Sequence, residues 1–297
     1  MNDTTTNDTH VPFFKMNGAG NKILVADLRG RENYITTQAA IALAQEDAMP
    51  YDQLMEIRSP KNPQNDVGIR IINCDGSEAQ ACGNGTRCVV SYLHQQDGKT
   101  HYKLRTRAGL LNATYKSDNN ITVDMGTPNL NWADIPTTEE FENTAKVELQ
   151  IGPIDNPVLH SPSLANMGNP HAIFWIDKPP QEYDLHLFGP LLENHPIFPE
   201  RANITIAQVI ARDHIIIRTW ERGVGLTLAC GSAACATLVS AVRKDFTDRT
   251  ANITVPSGAN LKIKWTDDNH VLMSGPAEFE FSGMLNPATG EYTKDET

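Results

Sequence analysis

The sequence predicts a mixed α/β (α+β) fold of two pseudo-symmetric, homologous domains, each a mixed sheet around a central helix. Three observations predict it: a tripeptide repeated at a fixed offset, a strand-like run before each copy, and a helix-like run after each. Ala81-Cys82-Gly83 recurs 148 positions on as Ala229-Cys230-Gly231. The same offset carries Gly20-Asn21 onto Gly168-Asn169 and Ile69-Arg70 onto Ile217-Arg218. It also carries Val123, Met125 and Pro128 onto Val271, Met273 and Pro276. Any one match could be turn punctuation, but four landmarks in one register mark a duplication. The expected domains are 1–128 and 129–276, with 277–297 packing back on the first. The Asn-, Thr- and Glu-rich stretch 129–143 reads as the linker between them.

Within each half the elements follow in the same order. VGIRIIN at 67–73 and IIIRTW at 215–220 are rich in β-branched residues and are followed by turn formers, so both read as strands. After Cys82, GNGTRCVVSYLHQQ carries Val89, Tyr92 and Leu93 at roughly helical spacing and stops at Asp97-Gly98. After Cys230, GSAACATLVSAVRK does the same and ends on basic residues, which suit a helix C-terminus. The stretches 99–115, 121–125, 252–265 and 271–281 read as strands joined by hairpin turns.

A chain of 297 residues suits two domains of about 100 to 150 residues each. Its 40% hydrophobic and 21% charged content is that of an ordinary globular protein. The formal net charge of −11 argues against nucleic acid, which needs clustered Lys and Arg, and favours a small-molecule substrate. Residues 1–10 are polar and turn-forming, without the basic and apolar regions of a leader, and read as a frayed tail. No apolar run approaches the length of a membrane span, so no membrane partner and a cytoplasmic location are expected. Five cysteines in such a setting argue for reduced thiols rather than a disulfide framework.

A cysteine at a helix start sits in the positive end of the helix dipole, which lowers a thiol pKa from about 8.5 toward neutrality. Gly83-Asn84-Gly85 and Gly231-Ser232-Ala233 leave successive backbone N–H groups open to an anion such as a carboxylate. If the duplication sets the two helix starts across a cleft, a sulfur faces each side of one α-carbon. A thiolate then removes the α-proton while the opposite thiol protonates the other face, without metal or cofactor. Cys74, Cys88 and Cys235 read as structural, since free cysteine behaves as a small buried hydrophobe. The Cys82/Cys88 and Cys230/Cys235 spacings lack the tight CxxC of zinc ribbons. A redox dithiol is the rival use of the pair, and the flanking anion nests favour acid–base work.

From Phe14 to about Phe281 the chain resembles the diaminopimelate epimerase family. The motifs that carry the resemblance are KMNGAGN at 15–21, YDQ at 51–53, NCDGSE at 73–78 and ACGNGTRC at 81–88. MGNPH at 167–171, PERAN at 199–203 and ERGVG at 221–225 complete them. The resemblance implies cofactor-independent interconversion of LL- and meso-2,6-diaminopimelate, on the lysine and peptidoglycan pathway, by a homodimer. It implies Cys82 and Cys230 as acid and base, with His171 and Glu221 near the sulfurs tuning their protonation. Asn21, Gln53, Asn73, Asn169 and Asn203 are implied as substrate-binding amides, each offering a donor and an acceptor. Arg222 is implied to hold the distal carboxylate with its guanidinium fork. Backbone N–H groups of Gly83, Asn84, Gly231 and Ser232 are implied to hold the reacting one.

The chain departs from the family pattern at three places. Lys22 stands where Asp is usual, Leu226 where Glu is common, and Ser232-Ala233 where Thr-Gly is. None removes a catalytic group. A proline-type racemase is the nearest alternative, but it would show Cys-Gly-His where this chain has Cys82-Gly83-Asn84. A non-catalytic amino-acid binder would have no need of two sulfurs at one carbon.

Overall fold

A computed structural model describes residues 9–117 and 120–296. Most of the tail expected to fray, residues 1–8, lies outside them. The chain forms two compact units, Met1–Ile121 with Pro276–Thr297, and Thr122–Gly275. Among the described residues no helix is long and apolar enough to cross a membrane.

The first unit begins with a hairpin. Strand Val11–Gly18 turns through Ala19 and Gly20, both at positive φ, into the antiparallel strand Asn21–Asp27. The turn conformation suits Gly20, which has no Cβ to clash. A crossover through helix α1 (Thr37–Ala44) brings Gln53–Arg58 parallel to Asn21–Asp27, with Ile23 opposite Gln53. Val67–Asn73 then runs antiparallel, pairing Asn73 with Gln53 and Gly68 with Arg58. A second crossover through helix α2 (Gly83–Asp97) leads to His101–Arg105, parallel to Val67–Asn73, and on to antiparallel Leu110–Ser117.

The expected helix after Cys82 is therefore present, and Gly98 ends it in the left-handed conformation a helix stop favours. Every residue of α2 from Gly83 to Leu93 is buried, which makes it the unit's central helix. Fully burying Val89, Val90 and Leu93 stabilises it by about 2 kcal/mol each. Gly85 lets the helix approach Met55 closely: a Cβ there would stand 2.4 Å from the Met55 sulfur and push that buried side chain aside.

The second unit repeats this order of pairings. Ser163–Asn166 and Pro170–Trp175 form a hairpin around Gly168. A crossover containing helix α3 (Leu185–Glu193) leads to the parallel strand Asn203–Ala211. His214–Glu221 follows antiparallel. The crossover through helix α4 (Gly231–Arg243) leads to parallel Thr250–Thr254, then antiparallel Asn260–Trp265 and Val271–Gly275. Helix α3 seats on Trp220 at Gly189, where a Cβ would meet the indole at 2.5 Å.

Two expectations give way here. The stretch 129–143 is not a bare linker: Ile135 is fully buried in the second unit's core with Val147, Phe174 and Leu192, and Asn129 bridges to Asn166. The stretch 271–281 is divided between the units, because Glu278–Leu285 pairs antiparallel with Val11–Gly18 in the first. Pro276 and Ala277 interrupt the strand pattern at that point.

Candidate active site

Both cysteines singled out by the repeat are helix N-caps. Cys82 caps α2 with extended backbone, and its Sγ accepts a hydrogen bond from Gly85 N at 3.2 Å. Cys230 caps α4 and is 6% exposed. The N–H groups of a first helical turn have no intrahelical carbonyl, and their dipoles favour negative charge in front of them. Gly83 and Gly231 open the two helices, with Asn84 and Ser232 next.

Around Cys82 the first unit gathers amides. Cys82 Sγ lies 3.5 Å from Gln53 Oε1, and Gln53 Nε2 lies 3.5 Å from Asn73 Oδ1. Gln53 and Asn73 are partners across the ladder, so side chains at these positions meet. Asn73 is fixed in turn by Ser77, whose Oγ accepts from Asn73 Nδ2 at 3.0 Å. Asn21 starts the strand beside Gln53–Arg58, and its Oδ1 is a buried acceptor without a hydrogen-bond partner.

Around Cys230 the second unit gathers ionisable groups instead. The Cys230 thiol donates to the Glu221 carboxylate, and Thr227 Oγ1 donates to Glu221 Oε1 at 2.5 Å. Contrary to the lowering expected at a helix start, burial first, then the Glu221 charge, pushes the Cys230 thiol well above its ordinary range, against smaller opposing pulls from the Ser232 hydroxyl and Ala233 N–H. Cys230 Sγ and Ser232 Oγ are 3.6 Å apart.

His171 is fully buried and pushed down to about 3, by burial and then by the Arg222 charge, so its imidazole is neutral at neutral pH. Its Nε2 is 2.8 Å from Asn169 Oδ1, an acceptor, which places the proton on Nε2. Nδ1 is then a buried acceptor without a partner. Asn21 Oδ1 in the first unit and His171 Nδ1 in the second are thus buried acceptors of the kind a ligand N–H fills.

Asn203 is opposite His171 in the parallel ladder and is pinned at both ends of its amide. Nδ2 donates to Pro170 O at 2.8 Å and Oδ1 accepts from Arg222 N at 3.0 Å. Arg222 Nη1 donates to Glu200 O at 3.0 Å, which orients the guanidinium.

Within each unit the expected residues fall together: Gln53, Asn73, Cys82, Gly83 and Asn84 with Asn21 nearby in the first, and Asn169, His171, Asn203, Glu221, Arg222, Cys230, Gly231 and Ser232 in the second. Three outcomes differ from, or add to, the sequence reading. Cys74 is exposed, not a buried hydrophobe, because it starts the turn after Asn73. Leu226, where the family favours a carboxylate, packs against the second unit's apolar core. Glu193 went unnoticed. It is 5% exposed and holds three groups of the 201–223 region: Arg201 Nη1 at 3.1 Å, Gly223 N at 2.8 Å and Trp220 Nε1 at 2.7 Å. A glutamate among apolar residues at a helix end was the available signal, since buried carboxylates need donors.

Comparison with known proteins agrees with the geometry. The family model described as diaminopimelate epimerase matches residues 13–131 and 163–280. A diaminopimelate epimerase of Brucella anthropi is 59% identical over 97% of this chain and 95% of its own length. That of Brucella canis is 58% identical over 97% and 94%. Among solved structures, a hydroxyproline epimerase from Agrobacterium vitis with bound trans-4-hydroxy-L-proline superposes with a TM-score of 0.65. It is 12% identical, over 93% of this chain and 92% of that one, and so shares the fold. With 59% identity over nearly its whole length and a family model covering both halves, the chain belongs to the diaminopimelate epimerase family.

Proposed function

We propose that the protein is a cofactor-independent epimerase that interconverts LL- and meso-2,6-diaminopimelate, with Cys82 and Cys230 as the two proton-transfer groups. The observation that carries it is the matched pair of N-cap cysteines, one at the start of each unit's central helix. Inversion at an α-carbon needs a base on one face and an acid on the other. First-turn N–H groups at Gly83, Asn84, Gly231 and Ser232 stabilise the charge that builds on the reacting carboxylate.

The two sulfurs differ in their neighbours. Cys82 Sγ accepts from Gly85 N–H and donates to the uncharged amide oxygen Gln53 Oε1. Cys230 faces a carboxylate and stays protonated. In one direction of the reaction one cysteine is the base and the other the acid; one turnover exchanges their protonation, and the reverse reaction uses them in the opposite roles. The unsatisfied acceptors Asn21 Oδ1 and His171 Nδ1 suit a substrate with two ammonium groups. Arg222 receives the distal carboxylate, and Gln53, Asn73, Asn169 and Asn203 orient the chain of the substrate. The protein acts in the cytoplasm as a homodimer, in lysine and peptidoglycan precursor synthesis.

The test is incubation of reduced protein with LL-diaminopimelate in D2O, following α-deuterium and stereochemistry by NMR. Deuterium enters as meso product forms, and Cys82→Ala and Cys230→Ala each abolish epimerisation in folded protein. Folded, reduced protein that incorporates no deuterium overturns the proposal, and full turnover by either variant overturns the two-base mechanism.

A further inference from the structure

The first unit carries a cavity of about 650 Å³ whose lining includes five cations, Arg31, Arg58, Lys61, Arg70 and Arg105, and no carboxylate. This is a local reversal in a chain of net charge −11. It is also remote from the cysteine site within that unit. Gln53 and Asn73 pair at one end of the ladder, and Arg58 and Gly68 at the other. Five residues of strand at roughly 3.3 Å each separate the two ends by about 16 Å.

Folding needs account for part of this charge. Buried Glu56 lies 3.1 Å from Arg70 and 3.5 Å from Arg58, and Glu78 lies 2.6 Å from Arg70. Arg58 also donates to the carbonyls of Arg31 and Asn33, and Arg70 to that of Ile35. These bonds hold both guanidiniums still. Lys61 and Arg105 are exposed and make no salt bridge among the described residues. Lys61 and Arg105 add like charge beside the two compensated guanidiniums, and an anion in the concavity relieves that repulsion.

The remaining wall is polar or aromatic. Tyr34 is 52% exposed, with Arg58 Cζ 4.0 Å and Arg70 Cζ 5.9 Å from its ring centre. The ring therefore buttresses the two fixed guanidiniums. The volume is that of a small-molecule site, and guanidinium forks match phosphate and carboxylate oxygens.

We infer that this cavity is a second ligand site, distinct from the cysteine site, which takes a small polyanion bearing at least two phosphate or carboxylate groups. Arg58 and Arg70 form its preset floor, and Lys61 and Arg105 supply the charge that the fold itself leaves uncompensated.

Isothermal titration of the full chain with inorganic pyrophosphate, and separately with citrate, tests this. Saturable binding of at least one is expected, weakening as salt is raised from about 50 to about 200 mM. The arm that binds tells phosphate from carboxylate. Lys61→Ala/Arg105→Ala should weaken binding about tenfold or more, with each single substitution intermediate. Deuterium exchange into diaminopimelate should be unchanged, which separates this site from the proposed reaction. Absence of saturable binding by both anions, or equal affinity in the double variant, overturns the inference.

Discussion

Asn73 and Glu221 occupy corresponding places in the two units, each closing the strand that precedes a cysteine-capped helix. In one unit that place holds an amide and in the other a carboxylate. The parallel ladders show the same divergence. Ile23 is opposite Gln53, whereas His171 is opposite Asn203. The repeated framework thus sets an amide pair beside one sulfur and a carboxylate beside the other.

Glu221→Gln removes the charge that helps hold the Cys230 thiol protonated. The apparent pKa of Cys230, read from the pH dependence of its alkylation by mass spectrometry, should fall by about one unit or more. That of Cys82 should move less. An unchanged Cys230 profile would show that burial alone sets its protonation.

Thr227 acts on the chemistry only through Glu221, whose Oε1 it holds at 2.5 Å. Thr227→Val keeps the shape but removes the donor, and kcat should drop about tenfold, equivalent to roughly 1.4 kcal/mol. The pH profile should shift along with it, and Thr227→Ser should restore both. A valine variant with wild-type kcat and pH profile would remove Thr227 from the positioning role.

His171 gives stability a specific pH dependence. Its folded pKa of about 3 lies below the ordinary 6.5, so between these values the unfolded chain binds the extra proton. Stability is therefore complete above pH 6.5 and declines as pH falls toward 3, by on the order of 4 kcal/mol from this group. Thermal midpoints from pH 7 to 4 should fall more steeply for the native chain than for His171→Gln. Parallel curves would contradict the burial of a neutral imidazole.

Much of this was legible in the sequence. The repeated Ala-Cys-Gly, the β-branched runs before it and the glycine or basic stop after it define α2, α4 and their preceding strands, because capping and periodicity act over a few residues. Helices α1 and α3 were missed. Both are short, eight and nine residues, and α3 contains Pro190, which usually marks a break. Their N-caps, Thr36 and Asp184, were the available signals. The stretch 129–143 looked like a linker because its polar residues outnumber the apolar ones. Burial of Ile135 depends on partners such as Phe174 and Leu192, which only tertiary structure supplies. The Glu193 cluster was hidden for the same reason, since its donors come from Arg201, Trp220 and Gly223.

The pairing of Glu278–Leu285 with Val11–Gly18 sets an order of events during synthesis. The second unit is one continuous stretch, Thr122–Gly275, and all of it is synthesised before the last strands of the first. The first unit must wait for its closing strand, so its opening hairpin spends most of translation with an unpaired edge. A chain truncated after Gly275 and released should therefore contain a protease-resistant second unit and an incomplete first one.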